Sequence, residues 1–216
     1  MAIKTVTELL CLVNDIKVRM GYEVTDKKDD EMLTQIIRGI SSAFDTFAER
    51  TFILNQADAT EYYDGGMELY VKRYPIYGTP TSVKLSGDWD WTNAVALTIN
   101  TDYRMQPAKG RIYYAPMATW PLPGYGNYGG DFPCGIDNIQ IIYRGGYVGP
   151  GGTVLAGQTG LPDDIREACI QQTCFYLKRR HDIGLTAVSA EGQSITKFSP
   201  HDLLPSVKQI LARYKR

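Results

Sequence analysis

The stretch that organises this chain is residues 29–50, which read DDEMLTQIIRGISSAFDTFAER. Three acids stand at its start, where they suit the positive end of a helix dipole. Apolar side chains then recur every three or four residues, at Met32, Leu33, Ile36, Ile37, Ile40, Phe44 and Phe47. The pattern predicts a long amphipathic helix whose apolar face must be covered by another element.

Three further segments carry helical patterns, over residues 5–19 with a Thr5/Glu8 capping box, over 161–181, and over 203–214 with Asp202 as cap. Each of these segments has an apolar stripe too small to be buried alone. We therefore expect the two ends of the chain, residues 1–50 and 161–216, to pack together as one small antiparallel helical bundle.

The apolar period changes after Thr51. Short β-branched or aromatic segments now alternate with turn residues, at 60–63, 67–73, 81–86, 95–99, 111–114 and 138–144. Asp64-Gly65-Gly66 and Pro107-Ala108-Lys109-Gly110 each predict a hairpin turn. Residues 51–160 are accordingly expected to form an inserted, tyrosine-rich domain resembling a β-sandwich or barrel. The predicted fold class is α+β.

Composition excludes several classes of function. The chain has 216 residues, 22% of them charged, and a formal net charge of −1. It therefore has no overall excess of charge to attract nucleic acid or an anionic membrane, although a neutral total can hide local patches. The first residues lack the pattern of a signal peptide, so we expect synthesis in the cytoplasm without export.

Metal binding is not indicated by the histidines and cysteines. His181 and His201 could be combined with Cys169 and Cys174, but cysteines five apart on a helix point roughly 140° away from each other. We expect the cysteines to be buried and reduced, with no metal and no cofactor.

Nucleophilic and phosphate-binding patterns are also missing. Ser189 and Ser194 lie near both histidines in sequence, yet no nucleophile-elbow pattern surrounds them. The glycines of residues 145–152 are not followed by the Gly-Lys-Ser/Thr of a phosphate-binding loop. No catalytic residue is predicted, and the chain is not expected to be an enzyme.

Two long loops are candidate contact surfaces. Residues 116–135 combine proline and glycine with the aromatic residues Trp120, Tyr125, Tyr128 and Phe132. Residues 182–200 are polar, with Ser189 and Ser194 among them. Twelve of the fifteen tyrosines lie between residues 62 and 147, and tyrosine supplies large contact area at little entropic cost. We expect these loops to meet neighbouring subunits or other proteins.

Several short patterns in fixed order cover nearly the whole chain: DDEMLTQII (29–37), FDTF (44–47), YPI (74–76), TSVKL (81–85), DYR (102–104), GRIY (110–113), YRGGY (143–147), LPDDIREA (161–168) and LARY (211–214). In this order they resemble the head-to-tail connector proteins of tailed bacteriophages, also called adaptor or head-completion proteins. Longer members of that family carry a β-insertion at the position where this chain has one.

The resemblance implies a structural subunit of the virion neck, made in the host cytoplasm. About twelve copies would form a ring that docks on the portal protein, extends the DNA channel and receives a stopper or tail protein. DNA would pass through without specific binding. The basic end of the chain, Arg213, Tyr214, Lys215 and Arg216, suits contact with the portal.

Three alternatives stay open on the sequence alone. The aromatic β-domain could be a carbohydrate- or protein-binding module. The chain could be a tail-completion or stopper protein of the same neck, or an enzyme of unknown class.

Overall fold

The computed structural model describes residues 8–55, 57–66, 69–88, 91–114, 132–180 and 202–215, and the backbone of 187–190 and 193–196. The fold is α+β. Its helices are α1 (Val13–Met20), α2 (Asp30–Ala48), α3 (Asp163–Lys178) and α4 (Pro205–Ala212). Its strands are β1 (Ala59–Tyr63), β2 (Leu69–Tyr70), β3 (Ser82–Leu85), β4 (Val95–Ala96), β5 (Tyr103–Gln106), β6 (Arg111–Tyr114), β7 (Ile139–Tyr143), β8 (Ala187–Ala190) and β9 (Gln193–Thr196).

The chain divides into two compact units. The helical unit takes its described residues from the stretches 1–50, 149–153 and 160–216, and the β unit from 51–148 and 154–159. All four helices belong to the helical unit, as does the antiparallel pair β8–β9. Each unit has its own buried core.

In the helical unit, α3 packs against α1, α2 and α4, and α2 also packs against α1 and α4. Side chains from both ends of the sequence are buried here, among them Leu10, Ile16, Leu33, Ile37, Phe44, Ile165, Ala168, Val207 and Leu211. Leu33, Ile37 and Phe44 lie on the apolar face that the sequence predicted for α2. The core is therefore contributed by segments more than 100 residues apart in sequence.

In the β unit the strands form two antiparallel sheets, ordered β1-β7-β3-β4 and β2-β6-β5. Strand β7 lies in the interior of the first sheet and alternates buried Ile139, Ile141 and Tyr143 with half-buried residues. Side chains from both sheets share one apolar cluster. The expectation of a barrel is wrong, because neither sheet closes on itself within the described strands.

The first helix begins later than the sequence predicted. Residues 8–12 are not α-helical, and α1 starts at Val13. The Asp15 carboxylate accepts the Leu12 N–H at 2.9 Å, which caps the helix at that point. Thr5, half of the expected capping box, lies outside the described residues.

The last helix is also held differently from the expectation. The backbone N–H of Leu204, the residue before α4, donates to the Gln172 side-chain oxygen at 2.9 Å. The Gln172 amide in turn donates to the backbone oxygen of Asp202 at 3.2 Å. A buried glutamine of α3 therefore fixes the start of α4, and the Asp202 side chain is not its cap.

One of the two predicted hairpins is confirmed. Strands β5 and β6 pair through a 3₁₀ turn at Pro107–Lys109 that ends at Gly110 with φ +63°. The hairpin expected at Asp64-Gly65-Gly66 is wrong, since β1 pairs with β7 and β2 pairs with β6. Gly65 instead lies against Pro133, where a Cβ atom would be 1.7 Å from the carbonyl oxygen.

Candidate functional site

The carboxy-terminal end, expected to contact a partner, is partly engaged inside the helical unit. The Tyr214 hydroxyl donates to the Asp164 carboxylate, with oxygen–oxygen distances of 2.8 and 3.0 Å. Lys215 Nζ lies 2.8 Å from Glu49 Oε1. Arg213 is exposed, and Arg216 lies outside the described residues. Arg213 is thus presented to solvent beside two side chains that are already held.

The position of this end follows from the pattern of α4. Pro205 occupies the first turn, where its missing N–H costs no hydrogen bond. Val207 and Leu211, one turn apart, are both buried in the helical unit. Tyr214 follows Leu211 by three residues and continues the same face, so its hydroxyl reaches the first turn of α3.

Two ion pairs join α1 to α3 near the same helix start. Arg166 donates two hydrogen bonds to the Asp15 carboxylate, from Nη2 to Oδ1 at 2.6 Å and from Nε to Oδ2 at 3.1 Å. Arg19 contacts both oxygens of Glu167 at 2.7 and 2.8 Å. The hydrogen bond to Asp15 is the main cause that raises the pKa of Arg166. The Arg166–Asp15 contact is bidentate, whereas a single nitrogen of Arg19 contacts both oxygens of Glu167. Both contacts link α1 to α3.

The segment 182–200, expected to be a polar connection, contains a strand pair. Strands β8 and β9 run antiparallel, and the Cα atom of Ser189 lies opposite that of Ser194. The two serines predicted as contact residues are therefore cross-strand partners. Residues 181 and 201, the two histidines of the sequence, lie outside the described residues.

Of the aromatic residues predicted as contacts in the 116–135 loop, Phe132 alone is described. Its side chain is 1% exposed, and its ring centroid lies 5.1 Å from that of Tyr114. Phe132 belongs to the core of the β unit, so its assignment as a contact residue is corrected. Trp120, Tyr125 and Tyr128 lie outside the described residues.

A partly buried polar cluster lies on the first sheet of the β unit. The hydroxyls of Tyr63 and Tyr143 both donate to the Glu61 carboxylate, the second at an oxygen–oxygen distance of 2.7 Å. Each hydroxyl also accepts a backbone N–H, from Lys72 at 3.0 Å and from Arg73 at 2.9 Å. Burial is the main cause that raises the pKa of both tyrosines. The cluster ties β1 and β7 to the chain after β2.

A second ionic cluster lies at the margin of the same sheet. The Thr81 hydroxyl donates to one oxygen of Asp58 at 2.6 Å, and Arg144 Nε donates to the other at 2.7 Å. The Thr81 bond first, and then the Arg144 bond, lower the pKa of Asp58. A carboxylate held ionised in this way positions its partners rather than exchanging protons near neutral pH.

Three of the four cysteines are buried as expected, whereas Cys134 is exposed. Cys11 and Cys174 are poor nucleophiles in this fold. Cys11 and Cys169 are both fully buried with their sulfur atoms 3.4 Å apart. The contact with Cys169 and burial raise the pKa of Cys11, and burial raises the pKa of Cys174. Thiolate chemistry requires the opposite shift.

The described part of the chain offers neither a metal-binding cluster nor a membrane-spanning helix. No cluster of three or more His, Cys, Asp or Glu residues could hold a metal ion there. None of the described helices combines the length and apolar character needed to cross a membrane.

The outer face of sheet β2-β6-β5 carries a group of side chains that the sequence analysis did not identify. Arg111 lies with its guanidinium carbon 4.2 Å from the Tyr113 ring centroid and 5.7 Å from that of Tyr70. Arg104 lies opposite Tyr113 in the sheet register and is exposed. The signal in the sequence was the alternation of polar and apolar residues along 103–106 and 111–114.

Comparisons with known proteins find a match for the fold of this chain but none for its sequence. The sequence matches no protein-family model and no curated protein. The fold matches a chain from the neck of an empty GTA particle, computed with C6 symmetry. That match has a TM-score of 0.54 and 17% identity, and covers 100% of this chain and 92% of the other.

Two further matches come from related sources. A chain from the neck of a native GTA particle, computed with C12 symmetry, matches at 15% identity with a TM-score of 0.48, over 100% of this chain and 92% of the other. A chain from the virion of a native gene transfer agent (GTA) particle matches at 15% identity with a TM-score of 0.45, over 93% and 86%. This protein thus shares its fold with a neck protein, in agreement with the connector resemblance of its sequence.

Proposed function

We propose that the protein is a structural subunit of a ring in the neck of a tailed, phage-like particle. The observation that carries this proposal is the fold likeness to a neck protein over the whole chain and 92% of that neck protein. A likeness confined to the helices would be weak support, because small helical bundles are common. Here the likeness extends over the helical unit and the inserted β unit.

Within the neck, the role that fits best is that of an adaptor. The ring docks on the portal, extends the DNA channel, and receives a stopper or tail protein on its other side. The matched neck was computed with C6 symmetry, which supports a cyclic arrangement, and the connector resemblance implies about twelve copies. The subunit resides in the virion neck and acts without catalysis or cofactor.

The portal contact is assigned to the carboxy-terminal end. Tyr214 and Lys215 are anchored to Asp164 and Glu49, so the exposed Arg213 projects from a fixed end. Arg216 continues the same basic segment in sequence. Holding the contact residue in place before docking reduces the entropy that must be lost on binding.

The remaining contacts are assigned to two segments. The pair β8–β9, with Ser189 and Ser194, contacts neighbouring subunits of the ring or tail proteins. The 116–135 loop, with Trp120, Tyr125 and Tyr128, is assigned the same two kinds of partner. Both assignments follow from the sequence composition of these segments.

The adaptor role is tested by mixing the purified protein with the portal protein of the same particle and imaging the complex. We expect rings of this protein stacked on one face of the portal. Deleting residues 213–216, or introducing Arg213→Glu, should weaken docking at least tenfold while the free energy of unfolding is unchanged for Arg213→Glu. Lys28→Glu, an equal change of charge at another exposed position of the helical unit, is the control.

One result would contradict the carboxy-terminal assignment and another the adaptor role. Unchanged docking by the Arg213→Glu and deletion variants would remove the carboxy-terminal assignment. Binding to an adaptor–portal complex already assembled from another protein, but not to the portal itself, would instead identify a stopper or tail-completion protein.

One observation favours a second candidate, a binding module with an aromatic surface. Tyr62, 44% exposed on β1, has its ring centroid 5.3 Å from that of Trp91. Trp91 has a φ of +59°, an unfavourable value for a tryptophan. A glycan array probed with the whole protein tests this candidate, and loss of any signal in Tyr62→Ala would support it.

A further inference from the structure

Two thiols from distant parts of the sequence meet in the core of the helical unit. Cys11 lies just before α1 and Cys169 lies in α3, 158 positions away. Both side chains are fully buried, and their sulfur atoms are 3.4 Å apart. Both are free cysteines. Removal of the two thiol hydrogens would therefore turn an existing contact into a covalent link between the two parts of the unit.

The sulfur atoms are already close to bonding distance. A sulfur–sulfur bond is ~2.05 Å long, so the two atoms need to approach by only about 1.4 Å. Cys169 is fixed on its helix, where the Thr173 hydroxyl donates to the Cys169 backbone oxygen at 2.7 Å. Residues 9–12 belong to no helix or strand. A small shift of this segment therefore supplies the movement while α3 stays in place.

Polar contacts on both sides of the pair keep the two thiols opposite each other. The Leu10 N–H donates to the Ser41 hydroxyl at 3.2 Å. Arg166, three residues before Cys169 on α3, donates two hydrogen bonds to Asp15. None of these contacts uses a thiol, so all of them are compatible with a bond between the sulfur atoms.

We infer that Cys11 and Cys169 form a site of oxidative cross-linking, at which a peroxide converts the two thiols into a disulfide that ties the segment before α1 to α3. One thiol sulfur attacks a peroxide oxygen and becomes a sulfenic acid, and the first water leaves. The second thiol sulfur then displaces the sulfenic hydroxyl, which takes the second thiol proton and leaves as another water. Two electrons pass from the sulfur pair to hydrogen peroxide, and no further reactant is needed.

Burial makes this reaction slow, which separates assembly from cross-linking. The contact with Cys169 and burial raise the pKa of Cys11, so little Cys11 thiolate is present near neutral pH. Cytosolic reductants also keep thiols reduced, whereas disulfides persist in oxidising surroundings. This step rests on the proposed function, since a neck subunit folds in the host cytoplasm and later leaves it within the particle. The disulfide accordingly forms after release.

Packing alone is the other explanation for two buried cysteines, because a free thiol behaves as a small apolar group. Cys174 on the same helix distinguishes the two explanations. It is buried as well, but none of the other described cysteines contacts it. If packing were the whole explanation, Cys11 and Cys169 would stay as unlinked as Cys174.

The test is oxidation of the folded full chain by hydrogen peroxide in a Cys134→Ser/Cys174→Ala background, which leaves only the pair. Remaining thiols are blocked with a maleimide, and the peptides are mapped by mass spectrometry without reduction. We expect the Cys11 and Cys169 peptides to be joined, two hydrogens lighter than the separate peptides, and to be separated again by dithiothreitol. Closing a loop of 158 positions should raise the midpoint of helix unfolding in circular dichroism by roughly 5–15 °C.

Cys169→Ala in the same background is the matched control. It should keep the Cys11 thiol and show no rise of the midpoint with peroxide. Where circular dichroism shows Cys169→Ala to be poorly folded, Cys11→Ala takes its place, because either variant removes the pair. The same mapping of the wild type should find Cys174 unlinked. Blocking thiols before cell lysis, and separately in released particles, should find free thiols in the cell and the joined peptides in the particles.

Several outcomes would overturn the inference. One is persistence of both thiols in the folded chain under conditions in which the urea-unfolded chain has lost them. Others are a link to Cys174 in the wild type, or a disulfide that leaves the unfolding midpoint unchanged. A link already complete inside the cell would contradict the timing. Oxidation of the isolated chain does not depend on the neck, so absence of the protein from released particles would contradict the neck proposal and the timing while the cross-linking site stands.

Discussion

The helical unit and the β unit are built from the sequence in opposite ways. The helical unit joins the two ends of the chain, and its polar links span 148 residues between Arg19 and Glu167 and 151 between Arg166 and Asp15. The β unit takes all but six of its residues from one continuous stretch, 51–148. Its central strand β7 lies between β1 and β3.

Because of this difference, we expect the folding of the helical unit to depend on the folding of the β unit. The helical unit has to close a loop of about 100 residues, and the entropy of that closure is reduced when the inserted stretch is itself folded. The β unit has no such requirement, because its strands pair within their own stretch. We expect the β unit to be the more autonomous of the two.

The largest effect is expected from a cavity in either core. Phe44→Ala in α2 should cost about 3–5 kcal/mol and Ile141→Ala in β7 about 2–5 kcal/mol, since both side chains are fully buried. Hydrogen exchange read separately on peptides from each unit measures where protection is lost. Ile141→Ala should weaken protection in both units, because an unfolded insertion makes closure of the helical unit more costly. Phe44→Ala should weaken protection in the helical unit only.

Reversal of this asymmetry would contradict the argument. Loss of β-unit protection in Phe44→Ala would show that the insertion depends on the helices. Phe44→Leu, which keeps most of the volume, is the control and should cost under about 1.5 kcal/mol.

A smaller effect is expected at the polar cluster of the β unit. Glu61→Leu removes the acceptor for the Tyr63 and Tyr143 hydroxyls while keeping a similar volume. Two buried donors without their acceptor should cost about 2–4 kcal/mol in urea unfolding. Glu61→Gln keeps one carbonyl oxygen and should lose about half as much. Equal losses in the two variants would mean that shape, not hydrogen bonding, decides the contribution of Glu61.

Local patterns predicted the helices better than their ends. The apolar period of α2 and its acidic start identified a helix that the structure places at Asp30–Ala48. The start of α1 was wrong because residues 8–12 are held by tertiary contacts, including the bond from the Leu10 N–H to the Ser41 hydroxyl at 3.2 Å. A partner 31 positions away cannot be read from local spacing.

Strand pairing was harder to predict than strand position. The period-two segments located β1, β3, β6 and β7 within a residue or two. The Asp64-Gly65-Gly66 turn suggested that β1 pairs with the next strand, but β1 pairs with β7, which begins 76 residues after Tyr63. Turn chemistry describes only the local chain and does not select a distant partner.

Local sequence patterns also failed to predict the contacts of the candidate site. The basic end of the chain was expected to contact the portal, and the structure shows that Tyr214 and Lys215 have partners within the chain at Asp164 and Glu49. Phe132 was misread as a contact residue because a loop rich in glycine and proline suggested exposure. Its burial depends on packing against Tyr114, which composition does not specify. The contacts of Arg213, Ser189 and Ser194 with partners stay predictions.

The smallest expected effect is a pH dependence confined to the β unit. The bonds from Thr81 and Arg144 lower the pKa of Asp58 below its ordinary value of 3.8. A carboxylate with a lowered folded-state pKa stabilises the fold above its unfolded pKa, and this stabilisation is lost as pH falls through the folded value.

The urea midpoint of the wild type should therefore exceed that of Asp58→Asn near neutral pH. The two midpoints should converge as the pH falls below 3.8 and through the lowered folded-state pKa of Asp58, because protonation then removes the same charge that the substitution removes. Thr81→Val, which deletes the larger cause of the shift, should move this convergence to higher pH. A gap between wild type and Asp58→Asn that stays constant from neutral pH to pH 2 or so would show that the Asp58 charge does not stabilise the sheet margin.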